Sequence, residues 1–121
     1  MGKYALLKTA SGWRFNLLAA NGQIIAGSEV YASQAACVKG MQSVVTCAPE
    51  APIADLTVPG KCPANPRFEL YQDRAGRFRF RLKARNGKII AVSEGYNTRA
   101  ACENGIESVK ENADSPISEE K

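Results

Sequence analysis

Residues 13–45, WRFNLLAANGQIIAGSEVYASQAACVKGMQSVV, lie over residues 78–110, FRFRLKARNGKIIAVSEGYNTRAACENGIESVK, at a constant offset of 65. Of these 33 aligned positions 18 are identical. Upstream, YALLKTASG matches FELYQDRAG once a single residue is inserted in the turn. Self-similarity at a fixed offset is the mark of a repeated structural unit. The chain therefore reads as one pseudo-twofold domain over 1–121, made of repeat 1 (4–58), a Pro-rich linker (59–67) and repeat 2 (68–120).

Each copy carries the same order of signals. A short apolar strand (Tyr4 to Leu7; Phe68 to Tyr71) leads to a turn with Gly12 or Gly76. A strictly alternating strand follows (Trp13 to Leu17; Phe78 to Leu82), the period of a two-faced strand. Asn21-Gly22 and Asn86-Gly87 then signal a hairpin, expected as a two-residue type I′ turn. A third strand, QIIAGSE or KIIAVSE, completes the set. Ser33 and Thr98 are suited to cap helices over 34–45 and 99–111. Cys37, Met41 and Val44 form an apolar stripe on the first helix, and Cys102, Ile106 and Val109 repeat it on the second. Gly40 and Gly105 interrupt good helix formers in both copies, so we expect backbone to approach backbone there. PIADLTV and SPISEE leave room for one further strand in each copy. The pattern is β3-α-β, twice, an α+β class.

The stretch RLKA-NG-II--SEGY, followed by A-ENGI-SVK-NA, resembles the YegP-like family, whose repeat has no assigned function. The resemblance covers nearly all of repeat 2 and a more diverged repeat 1, where CVKGMQSVVTCA stands for CENGIESVKENA. It implies one antiparallel sheet shared by the two β3-α-β units, exchanged C-terminal strands, and both helices packed on one face. It implies no catalytic residue, cofactor or substrate.

Composition narrows the chemistry. The 121 residues hold no histidine, which removes Ser-His-Asp and Cys-His nucleophilic systems and the commonest metal ligand. No phosphate-cradling glycine motif is present. No two of the four cysteines, Cys37, Cys47, Cys62 and Cys102, form a CxxC pair, so zinc has little support. We expect no enzyme activity, no cofactor and no metal. Cys37 and Cys102 read as small core residues, whereas Cys47 and Cys62 are the candidates for an exposed, redox-sensitive pair. No apolar run is long enough for export or membrane insertion, so a cytoplasmic protein without membrane contact is expected. Tandem copies favour a monomer.

Two surfaces are candidates for binding. Residues 67–88 carry eight Lys/Arg against two Asp/Glu, while residues 94–121 carry three against seven. With a two-residue turn at Asn86-Gly87, facing positions sum to 173. Arg79 then faces Glu94, Arg81 faces Val92 and Lys83 faces Ile90; in repeat 1 Arg14 faces Glu29. The recurrent Arg–Glu pair reads as structural, which leaves Arg77, Arg81, Lys83, Arg85 and Lys88 as a candidate anion or nucleic-acid surface. The fold does not demand these charges, because repeat 1 has Asn16, Leu18, Ala20 and Gln23 at the last four positions. Phe78 and Phe80 point to the opposite face, unlike sheets that stack bases on open aromatic rings. Leu18, Ile25, Ile90 and Val92 are the candidate protein-interaction patch on the outer face. A non-catalytic binding module with a protein partner is the favoured reading, with weak, sequence-blind nucleic-acid binding as the alternative.

Overall fold

The computed structural model describes residues 2–60, 63–114 and 117–120. Repeat 1 contributes β1 (Lys3–Thr9), β2 (Gly12–Leu18), β3 (Ile24–Gly27), α1 (Gln34–Cys47) and β4 (Ile53–Asp55). Repeat 2 contributes β5 (Arg67–Gln72), β6 (Phe78–Lys83), β7 (Ile89–Val92), α2 (Arg99–Asn112) and β8 (Ile117–Glu120). The capping residues act as their type suggests: Ser33 Oγ accepts from Ala36 N and Thr98 Oγ1 from Ala101 N, each at 3.1 Å. Both helix stripes enter one core with Tyr4, Phe15, Phe68 and Phe80.

The eight strands make one sheet, in the order β4-β5-β6-β7-β3-β2-β1-β8. The repeats meet at its centre, where β3 and β7 run antiparallel and pair through Gly27 and Val92. Each repeat's last strand lies beside the other repeat's first. The expectation of an antiparallel sheet is corrected here, because β4 runs parallel to β5 and β8 parallel to β1, so the sheet is mixed. Tight hairpins force antiparallel neighbours only between consecutive strands. Parallel neighbours need a crossover of about a dozen residues. Between the end of β4 at Asp55 and the start of β5 at Arg67 the sequence has eleven residues, enough for such a crossover.

The hairpin turns also differ from expectation. Gly87 N donates to Ala84 O and Ala84 N donates to Lys88 O, so three residues, not two, form the loop. Gly87 has φ +82° and Gly22 φ +85°, while among the described residues no other residue type has positive φ. A type I′ turn needs positive φ at both central positions, so Asn86 and Asn21 exclude it; a type I turn closed by a left-handed glycine fits. The extra residue shifts the register. Leu82 pairs with Ala91 but Lys83 with Ile89, and Leu17 pairs with Ala26 but Leu18 with Ile24. Ile90 and Ile25 sit at these irregularities and turn inward. They are 7% and 5% exposed and belong to the core, not to the outer face as expected.

The serines of the two SE motifs repair the ladder where the third strand departs. Ser93 Oγ accepts from Phe80 N at 2.9 Å and donates to Glu94 O; Ser28 does the same for Phe15 N and Glu29 O. The chain then returns to pair Tyr96 with Phe78 and Tyr31 with Trp13. The excursion carries both glutamates off the ladder, so the expected Arg79–Glu94 and Arg14–Glu29 pairs do not form. Arg79 bonds Asp73 instead, and Arg14 bonds Asn16.

The helix glycines make room for side chains rather than for backbone. A Cβ on Gly105 would clash with Tyr96 Oη, and one on Gly40 with Tyr31 Oη. Those tyrosines stack on Phe80 and Phe15, with ring centroids 6.4 and 6.5 Å apart.

Candidate functional site: the open sheet face and its seam

Alternation sends every second side chain away from the helices. Repeat 2 thus presents Arg67, Glu69, Tyr71, Arg79, Arg81 and Lys83 on the open face, and repeat 1 presents Arg14, Asn16 and Leu18. Phe80 is buried and Phe78 is half-buried against the core. Tyr71 is the ring on the open face, and the Arg81 guanidinium covers it at 4.6 Å from the centroid.

The basic strand is organised around a carboxylate. Glu69 is only 2% exposed. Arg67 donates to its Oε2, Arg81 Nε to its Oε1 at 2.7 Å, and Lys83 Nζ lies 3.4 Å from Oε2. Burial opposes ionisation of Glu69. The hydrogen bonds from Arg81 and Arg67, with the Lys83 charge, outweigh it and hold the carboxyl below the ordinary glutamate range. The corresponding residues in repeat 1 are Ala5 and Asn16, a neutral pair. Arg81 and Lys83 are thus engaged by a buried carboxylate that repeat 1 lacks, so their charge has a structural partner within repeat 2.

The five basic candidates do not form one surface. Arg81 and Lys83 serve Glu69. Arg85 bonds Glu50 and, with Lys88, lines a groove of about 1210 Å³ between α1 and the β6–β7 hairpin. Arg77 is exposed and lines the seam. Of the expected apolar patch, Leu18 and Val92 remain half-buried on the open face. Ile24, 43% exposed, and the half-buried Ile89 replace the inward Ile25 and Ile90.

The seam itself is concave. A cleft of about 440 Å³ crosses the pseudo-twofold axis, lined by Arg14, Asn16, Ile24, Arg77, Arg79 and Val92, with Glu94 also on it. Arg79 Nε donates to Asp73 Oδ2 at 2.7 Å, and that bond leads the influences holding the Asp73 carboxyl below its ordinary range. Arg14 Nη2 donates to Asn16 Oδ1 at 3.2 Å, whereas Arg14 Nε is buried without a partner. The sequence places Arg14 and Arg79 in structural pairs with Glu29 and Glu94 and so outside the binding candidates. The signal that could have recovered Arg14 is Thr9, which stands where repeat 2 has Asp73.

The cysteines offer little chemistry. Cys37, Cys47 and Cys102 are free and buried. Cys47, expected to be exposed, ends α1 facing the core at 5% exposure. Burial, then the nearby Glu103 and Asp55 charges, pushes the Cys102 thiol up to about 11. The Cys47–Cys62 pairing involves Cys62, which lies outside the described residues. Among the described residues no cluster of three or more Cys, Asp or Glu could hold a metal, and no helix is long and apolar enough to cross a membrane.

A family model described as a domain of unknown function, DUF1508, matches residues 9–55 and 73–119. The UPF0339 protein YegP of Yersinia pestis is 36% identical over 118 residues, covering 97% of this chain and 93% of that one. The UPF0339 protein in the ptx operon 5′ region of Stutzerimonas stutzeri is 63% identical over 46 residues, 38% of this chain and 41% of that one. A solution NMR structure of the Escherichia coli protein of unknown function yegP superposes with TM-score 0.81 at 33% identity, over 98% of this chain and 91% of that one.

Proposed function

The chain belongs to the UPF0339 (YegP) family as a tandem of two DUF1508 domains, and from that premise we propose that it is a non-catalytic binding module. Its open sheet face docks an extended, acidic segment of another protein across the β3–β7 seam. One observation carries this reading: the exposed Ile24 and the half-buried Val92 line the seam cleft beside Arg14, Arg77 and Arg79, arginines from both repeats, with the half-buried Leu18 paired to Ile24 on the same face. An apolar centre supplies the buried core of an interface, and arginine is among the residues enriched there. The charge of the cleft selects an acidic partner. The protein acts as a monomer, because its second copy already occupies the place a twin subunit would take.

Nucleic-acid binding through the basic strand is the weaker reading, since Glu69 already engages Arg67, Arg81 and Lys83.

A peptide-display selection tests the proposal, run on the wild type and on Ile24→Lys/Val92→Lys. Acidic peptides with apolar anchors, enriched by the wild type and lost with the variant, are expected. Peptides held equally by both, or none, contradict it. In parallel, generic single- and double-stranded DNA is titrated at rising salt, with Arg85→Ala/Lys88→Gln, which leaves the partners of Glu69 in place, as the comparison. Tight, salt-sensitive binding lost in that variant would make nucleic acid the partner.

A further inference from the structure

We infer that the seam cleft is an oxyanion site in which Arg14 is the principal donor. This deepens the docking reading and rests on it, by naming the group that the partner places on the axis. The two repeats supply an internal comparison. Arg14 and Arg79 occupy equivalent positions on β2 and β6, opposite Leu7 and Tyr71. Asp73 follows β5 and bonds Arg79. The equivalent residue ending β1 is Thr9, whose hydroxyl donates to the Gly12 carbonyl at 3.1 Å and offers Arg14 no charge.

Repeat 1 thus holds the same arginine without its carboxylate. The consequence is visible in the hydrogen bonding, since Arg14 Nε is buried with no acceptor. Buried donors are almost always satisfied, and an acceptor from outside the chain is one of the few ways to account for an orphan. Guanidinium forks match the paired oxygens of carboxylates and phosphoryl groups. Around this orphan the cleft adds three things. Arg77 has no carboxylate partner among the described residues. The Asn16 amide is held against Gly27, where a Cβ would come within 2.9 Å of Asn16 Oδ1. Glu94 lines the same cleft and opposes the anion, which limits the site to weak, exchangeable binding.

Carboxylate and phosphoryl oxygens share this chemistry, and the source is separated by titrating acetate and inorganic phosphate in parallel. The full ¹⁵N-labelled chain is used at constant ionic strength, and the arginine Nε–Hε resonances are followed. A saturable shift of Arg14 Hε is expected. A stronger response to acetate assigns an acidic side chain, and a stronger response to phosphate assigns a phosphoryl group.

Two variants decide specificity. Thr9→Asp installs the partner that repeat 2 already has, and should weaken binding about tenfold, the scale of a charge-assisted hydrogen bond. Glu94→Gln should strengthen it. Because Thr9→Asp supplies an ion pair rather than removing one, loss of binding there is not loss of fold. An Arg14 resonance unmoved by both anions, or moved equally in Thr9→Asp, overturns the inference. Peptides that bind Thr9→Asp as well as wild type yet are lost by Ile24→Lys/Val92→Lys would sink the oxyanion site alone and leave the docking face standing.

Discussion

Glu69→Gln is the sharpest test of how repeat 2 holds its charge. The substitution keeps the volume and removes the one carboxylate that Arg67, Arg81 and Lys83 share. Removing one partner from a buried ion pair costs about 3–5 kcal/mol. Glu69 is buried, but the Arg67, Arg81 and Lys83 side chains stay 21%, 29% and 24% exposed, so solvent screens part of the loss. We expect about 2–3 kcal/mol in urea unfolding at pH 7. The pH dependence adds a second reading. The folded carboxyl is held below its unfolded value of about 4.3. Its contribution is therefore complete above that value and is lost as pH falls through the folded pKa. The gap between wild type and Glu69→Gln should close on going from pH 7 towards pH 3. Glu69→Ala with Arg81→Asn, which copies Ala5 and Asn16 of repeat 1, should recover much of the loss. A cost below about 0.5 kcal/mol, the level of an exposed pair, or a gap that persists at low pH, would refute the buried-carboxylate reasoning.

Three further outcomes are expected. Gly105→Ala gains about 1 kcal/mol of helix propensity but forces a methyl against Tyr96 and Phe80, for a net loss of about 1–2 kcal/mol in thermal or urea unfolding; Tyr96→Phe in the same chain should relieve part of it. Gly22→Ala has open space around the new methyl, so its cost is the left-handed backbone alone, about 1 kcal/mol in urea unfolding, and a neutral result would contradict the assigned turn. Cys37, Cys47 and Cys102 should resist iodoacetamide in native protein at pH 8 and react on unfolding; rapid native labelling of Cys47 would place it outside the core.

The repeat, the helix caps and the core stripes were legible because each is a local signal: a capping hydroxyl, a 3.6-residue period, an alternating strand. What failed was long-range or turned on one residue. Asn-Gly suits both a type I′ turn and a type I turn closed by glycine. The difference of one loop residue moved Ile25 and Ile90 from the outer face to the core. The exchange of β4 and β8 is implied by the resemblance, but their parallel direction was hidden because no tight hairpin joins either strand to its neighbour. Glu69 escaped notice for a related reason. Its partner Arg81 is fixed by the β5–β6 register, which the Asn86-Gly87 turn does not set. Arg14 was legible as a residue but not as an orphan, because the missing counter-charge at Thr9 emerges only when the two first hairpins are superposed.

The most direct measurement is an amide and methyl NMR shift map of the labelled chain with an acidic, apolar-anchored peptide recovered by selection. Docking across the seam requires the largest shifts at Ile24 and Val92 and along the open-face positions of β2 and β6, with α1 and α2 unmoved. Shifts confined to Lys39, Arg85 and Lys88, in the groove beside α1, would contradict it and move the binding site off the sheet face.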